Sequence, residues 1–324
     1  MKLKFDSNQQ YQLDAIRAVV DIFKGQPRRD GGFEAEVKPG DGQMQMGGSF
    51  IVGNRLSISE DAIAENLAEV QAGNGIKSPL PPFVKGGESL LHPDARGGGR
   101  IGGADLVGEG IAGGGRLEEG MNFTVEMETA TGKSYVYLRT IHELHRNYGF
   151  KKFVIVVPSI AIKEGTLKNL KITEEHFRLL YGNSEMDYYV YDPKKRGLLK
   201  NFATTNALQI LVINIDSFAI SEDKNKKRII FQDSDWGIPV EFIRATRPIV
   251  IIDEPQNMET PIRKQAIAHL NPLCTIRYSA THKNLYNLVY KLDPVKAYDL
   301  GLVKRIEVDS IISENNFNNA FVEL

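Results

Sequence analysis

Residues 122–139 read NFTVEMETATGKSYVYLR, and this stretch decides the fold. NFTVEM (122–127) reads as a strand. GKSYVYLRTIHELHRNYG (132–149) reads as a helix, with Tyr137, Ile141, Leu144 and Tyr148 on one face. A strand that turns into a helix at Thr131-Gly132-Lys133-Ser134 is the setting of a phosphate-binding loop. Gly132 lets backbone amides approach phosphate oxygens with no Cβ in the way. Lys133 brings a point charge to the β and γ phosphates, and Ser134 brings a hydroxyl to Mg²⁺. The full Walker A pattern, G-x-x-x-x-G-K-[ST], would place a further glycine at position 127, which is Met127. The alternative for these four residues is a polar turn at a helix start.

Downstream, the pattern stays α/β. KFVIVV (152–157), LQILVINI (208–215), RPIVIID (247–253) and CTIRYSA (274–280) are apolar runs of the kind buried in parallel sheets, and SIAIKEGTLKNLK (159–171) is helical. Upstream, DSNQQYQLDAIRAVVDIFKG (6–25) predicts a helix capped by Asp6 or Ser7 and stopped by Gly25. SEDAIAENLAEVQAGNG (59–75) predicts another, capped by Ser59. Alternating strands and helices imply a doubly wound, mostly parallel sheet.

PIVIIDEPQN (248–257) ends an apolar strand in two adjacent carboxylates. That places Asp253 and Glu254 at the mouth of the sheet, where ligands bind. Bare acids there are costly without a cation. Asp253 would hold Mg²⁺, and Glu254 would orient and deprotonate an attacking water. RYSATH (277–282) ends a further strand with small hydroxyl residues, Ser279 and Thr281, able to bond the acidic loop.

Composition excludes several classes. The net charge is −1, so there is no global basic field for nucleic acid. One cysteine, Cys274, excludes an internal disulfide framework and implies a reducing compartment. No apolar run approaches a membrane span, and the N-terminus shows no signal peptide. These features imply a soluble cytoplasmic protein. Residues 75–117 hold 13 of the 30 glycines and 4 of the 14 prolines, and read as a flexible insert.

In chain order, QQYQLDAI, ETATGKS, VVPSIAIKEG, VINIDSF, VIIDEPQ and RYSATH resemble the first motor lobe of superfamily 2 helicases. NFTVEMETATGKSYVYLRTI, IVIIDEPQ and YSATHKNLYNLVYKLDPVKAYDLGLVKRIEV resemble the restriction (Res) subunit of type III restriction-modification enzymes. The resemblance covers roughly residues 1–74 and 119–312. It implies a RecA-like P-loop NTPase lobe that binds ATP and Mg²⁺. Its partners would be double-stranded DNA, a modification methyltransferase (Mod) subunit and a separately encoded second lobe and nuclease. Gln12 would read adenine, with Gln9 and Gln10 as rivals. Thr129, Ala130, Thr131, Gly132, Lys133 and Ser134 would cradle phosphate, with Ser134 and Asp253 on the metal. Lys133, Asp253 and Glu254 would be catalytic. Gln256, Ser279 and Thr281 would couple hydrolysis to movement. Ser159 would touch DNA, unless it is a plain helix cap.

Helicase loops of this kind do not require the first Walker glycine. Where the family usually carries a second glycine this chain has Ala130, which would cost about 1 kcal/mol if φ is positive there. The implied organisation is 1–74 (the lobe's N-terminal part), 75–118 (the insert), 119–306 (the ATP-binding core) and 307–324 (the start of a connection to a second lobe). On this reading the chain is one lobe of a larger motor and a weak ATPase alone. Alternatives are an inactive truncated product and a lobe of a type I restriction subunit. Glu36-Val37-Lys38 spells a nuclease pair but lies in a polar Gly-rich stretch. HELH (142–145) reads as a solvated helix face. The basic clusters 192–197 and 224–228 suit phosphate contacts or solvated loops equally.

Overall fold

The computed structural model describes residues 5–28, 33–37, 49–77, 117, 120–182, 184–195, 197–219, 228–232, 234 and 237–304. Most of the Gly/Pro-rich segment, the 224–227 part of the second basic cluster, and residues 305–324 lie outside them.

The elements run α1 (Gln10–Val20), β1 (Phe33–Val37), β2 (Ser49–Gly53), α2 (Glu60–Gly73), β3 (Asn122–Met127), α3 (Lys133–Tyr148), β4 (Lys152–Val157) and α4 (Ile160–Leu180). They continue with β5 (Met186–Val190), α5 (Gly197–Thr204), β6 (Leu208–Asn214), α6 (Pro239–Ala245), β7 (Ile249–Asp253), α7 (Pro261–His269), β8 (Cys274–Ser279), β9 (Leu288–Leu292) and α8 (Pro294–Asp299). Seven strands form one sheet in the order β5-β6-β4-β7-β8-β3-β9, and every pairing in it is parallel.

Strand residues alternate between two cores. Phe153, Ile155, Ile210, Val212, Ile249 and Ile251 pack with α1 to α4. Val154, Val156, Leu211, Ile213, Val250 and Ile252 pack with α5 to α7. Both faces are covered, which is why these strands read as continuous apolar runs. The result is a RecA-like lobe, with the phosphate-loop strand β3 between β8 and β9.

Helix starts follow the sequence in part. Ser59 caps α2, accepting from the Ala62 amide at 3.2 Å. Neither Asp6 nor Ser7 caps α1. The N-cap is Gln9, without a side-chain bond, and Asp6 instead turns the chain ahead of it by accepting from the Asn8 amide. The α4 helix runs nine residues past its predicted end at 171, to Leu180, because Thr173 and Phe177 continue its buried face. Glu36 lies on a strand after all: β1 pairs antiparallel with β2, and Ile51 of β2 packs on Ala203 and Phe242. His142 is not on a solvated face. It is buried and stacked on Tyr181 at 4.9 Å, and burial, then the neighbouring His145, pushes its pKa down to about 3.

Candidate functional site: a phosphate loop facing two carboxylates

The β3–α3 turn is built for close approach. Gly132 stands at the N-cap of α3 with φ 90°, and a Cβ there would meet the Gln12 amide nitrogen at 2.6 Å. With no capping side chain, the first amides of this 16-residue helix stay open, and the helix dipole adds positive potential. The loop is held from below. Thr131 donates its hydroxyl to the Glu128 carbonyl at 2.6 Å, and the Glu128 carboxylate accepts from the Thr129 amide at 2.7 Å. Ala130 has φ 63°, so the residue standing for a glycine does occupy the left-handed region.

Of the three candidate glutamines, only Gln12 reaches the loop. Its amide nitrogen donates to the Thr131 carbonyl at 3.2 Å, joined there by the Tyr11 hydroxyl at 3.1 Å. Gln9 bonds Asp6 and Gln10 bonds Asp14, both on the exposed side of α1.

Lys133 turns back over the loop. Its Nζ donates to the Met127 carbonyl at 3.4 Å and lies 3.4 Å from Glu254 Oε1. Across from it, Asp253 ends β7 and is buried. Burial, then the Glu254 charge, pushes its pKa up to about 6, against the pull of Lys133 and the Tyr137 hydroxyl. Tyr137 donates to Asp253 Oδ2 at 3.4 Å, and both Asp253 and Ser134 act on its hydroxyl, so the two proposed metal ligands share a neighbour. Sequence reading placed Tyr137 in the core alone. Its position one helical turn after Lys133 was the available signal.

Glu254 has φ 55° and ψ 64°, a left-handed kink that turns its side chain off the strand line toward Lys133. Its Oε2 accepts from Gln256 Nε2 and from Ser279 Oγ, each at 2.9 Å. Burial opposes its charge, but the Gln256 bond, the Lys133 charge and the Ser279 bond outweigh burial and lower its pKa. The Ser279 hydroxyl also lies 3.0 Å from Gln256 Oε1 and from the Thr281 carbonyl, and accepts from the Thr281 amide at 3.1 Å. One proton must choose among three acceptors, so this hydroxyl can change partner. Ser159 caps α4, accepting from the Ile162 amide at 3.3 Å. It sits just past the end of β4.

A parallel sheet with a Gly-Lys-Ser turn after β3 and paired acids at the end of β7 has the architecture of a helicase motor lobe. The family model described as "Type III restriction enzyme, res subunit" matches residues 59–284, and the chain belongs to this family. It is 35% identical over 203 residues to the EcoP15I Res subunit of Escherichia coli, which covers 56% of this chain and 21% of that protein. It is 30% identical over 245 residues to the StyLTI Res subunit of Salmonella typhimurium, covering 64% and 24%. The chain thus spans between a fifth and a quarter of the length of these relatives. Among solved structures, a nuclease-deletion mutant of the Type ISP restriction-modification enzyme LlaGI with a DNA substrate mimic matches 57% of this chain and 19% of its own, at 13% identity and TM-score 0.38. The Sulfolobus solfataricus SWI2/SNF2 ATPase core with dsDNA matches 50% and 28%, at 12% identity and TM-score 0.34. The fold assignment rests on the sheet itself.

Proposed function

We propose that this chain is the ATP-binding first motor lobe of a DNA translocase in a cytoplasmic type III restriction system. The supporting observation is the meeting of Lys133 with Glu254, beside buried Asp253, at the carboxyl edge of the sheet. The residues fit a nucleotide triphosphate with Mg²⁺. Gly132 leaves room, the α3 amides stay open, and Asp253 is a buried acid whose charge a cation would compensate.

Bound Mg²⁺ would polarise the phosphate oxygens. Thr129 to Ser134 would cradle the phosphates, with Lys133 releasing Glu254 to face them. Ser134 and Asp253 would hold the cation. Glu254, kept ionised by Gln256 and Ser279, would orient the attacking water and take its proton. Gln256, Ser279 and Thr281 would report the change to the rest of the lobe, and Gln12 would link adenine to the Thr131 carbonyl. Ser159 would approach the DNA backbone. In the motors this chain resembles, a second lobe supplies an arginine worth a factor of about 10³ to 10⁵. The described residues form one lobe, so we expect slow turnover from these 324 residues alone. The remaining proposed partners are double-stranded DNA, a modification methyltransferase subunit, and a second lobe and nuclease.

One observation favours a second reading, a product that folds and binds without turning over: Ala130 strains the loop that would grip phosphate. Calorimetric titration with Mg-ATP tests the first. Lys133→Ala should weaken binding roughly 10- to 100-fold, the range for a hydrogen bond to charge. Unchanged affinity in that variant would overturn the assignment.

A further inference from the structure

We propose that Glu259 is a positioning residue that binds the acidic loop (254–259) and the hydroxyl loop (279–286) into one mechanical unit. The inference rests on reading these as the hydrolysis and coupling loops. They leave the ends of adjacent strands, β7 and β8, and are joined at their near ends where Ser279 meets Glu254 and Gln256. Glu259 joins them again at their far ends. Its Oε2 accepts from Asn284 Nδ2 at 2.7 Å, from the Tyr286 hydroxyl at 2.6 Å and from Lys264 Nζ at 2.9 Å.

The far rung is anchored to the sheet. Glu259 Oε1 lies 3.7 Å from Nε of Arg277, which sits on β8 two residues before Ser279 and therefore on the same face. Arg277 stacks over the Tyr286 ring at 4.1 Å, and its Nη1 donates to Asn122 of β3 at 2.8 Å. The Tyr286 amide donates to Thr124 Oγ1 of β3 at 3.0 Å. Two of the rung's charged side chains are nearly buried, 10% exposed for Glu259 and 6% for Arg277, while Lys264 is exposed. Ion pairs so placed hold geometry far better than exposed ones. Two loops tied at both ends cannot shift independently. A change of partner at Ser279 is therefore felt by both loops together, as far as the anchor at Tyr286.

Amide exchange read residue by residue tests this on the intact chain. The amides of Glu254, Thr281 and Tyr286 are hydrogen-bonded to the Tyr278 carbonyl, Ser279 Oγ and Thr124 Oγ1 respectively. In the wild type, their protection should fall together with added urea. Tyr286→Phe, which removes one hydroxyl, and Glu259→Gln, which removes the charge, should speed exchange at positions 281 and 286 at least tenfold and leave 254 unchanged. In the same variants, protection by a non-hydrolysable Mg²⁺–ATP analogue should persist at 132–134 and stop short of 281. If Glu259→Gln does not fold, Tyr286→Phe carries the comparison. A uniform rise at all three amides, as a merely structural role would give, overturns the proposal, and so does no change. Missing protection at 132–134 in the wild type would refute the nucleotide site, while the ligand-free comparison would still decide the role of Glu259.

Discussion

Replacing Asp253 by Asn should make the lobe more stable while weakening the Mg-ATP binding proposed for it. The carboxyl is pushed from an ordinary 3.8 to about 6, chiefly by burial. A raised acid pKa means that the folded state resists the charge the unfolded state accepts. Near pH 7.5 the group is ionised in both states, and the folded state bears the whole penalty. At about 1.4 kcal/mol per pH unit, a shift of about two units amounts to roughly 3 kcal/mol. Below pH 6 the folded protein takes up the proton, and the penalty shrinks to nothing below 3.8. Asn is isosteric and its oxygen can still accept from Tyr137, though its NH₂ needs a partner. We therefore expect a gain of about 1–3 kcal/mol at pH 7.5, roughly halved at pH 5.

Urea unfolding of both proteins without Mg²⁺, at pH 7.5 and pH 5, measures the gap directly. Titrating groups remote from Asp253 cancel in the difference, and the coupled neighbour Glu254 adds a smaller change of its own. A variant less stable than the wild type at pH 7.5, or a gap equal at both pH values, would refute the reasoning. Calorimetry should show the same variant binding Mg-ATP more weakly. Gain and loss would then share one cause, a buried charge kept for a cation.

Other outcomes follow from single residues. Ala130→Gly relieves a left-handed alanine, worth about 1–2 kcal/mol, but frees the unfolded chain by about 0.5–1 kcal/mol; we expect a net gain near 0.5–1 kcal/mol in urea, with nucleotide affinity kept or improved. Asn54→Ala should lower stability by about 2–4 kcal/mol in the same assay, since it strips the Lys151 and Lys152 amides and the Lys152 and Arg247 carbonyls of their buried partner. Burial, then Lys151, lowers the Lys152 pKa to about 7, so the unfolded state binds the extra proton between there and 10.5. Stability should climb with pH across that window, and Lys152→Met should flatten the climb.

The buried strands were legible because a sheet covered on both faces fills most of its strand positions with apolar residues. β4, β6, β7 and β8 stand within two residues of their predicted bounds. β5, in MDYYV, was not legible. It is one edge of the sheet, half-buried apart from exposed Asp187, and its residues show neither a continuous apolar run nor clean alternation. The β3–α3 turn and the paired acids at the end of β7 were legible as short motifs. The Lys133–Glu254 pair was not, because it depends on a left-handed kink at Glu254 that no local rule demands of a glutamate. Glu259 was invisible for a similar reason: its partners lie 5 to 27 positions away and meet only through the pairing of β7 with β8.

The two ends of the sheet carry opposite kinds of backbone strain. Among the described residues, five that are not glycine have positive φ. Asn271 and Asn287 are of the type that tolerates it. Arg247, at the amino end of β7, does not, but its carbonyl is held by Asn54, whose side-chain oxygen and nitrogen each make two bonds. Strain there is matched by a saturated polar anchor, as a fixed base requires. Ala130 and Glu254, at the carboxyl end, lie in the two loops that face each other across the site. There the opposing groups are a lysine at 3.4 Å and a serine hydroxyl with three acceptors in reach. These are partners that a phosphate or a cation can displace. Strain held by exchangeable partners is what a lobe needs if ligand binding is to move loops rather than melt them. An amino end anchored in this way would confine such movement to the site.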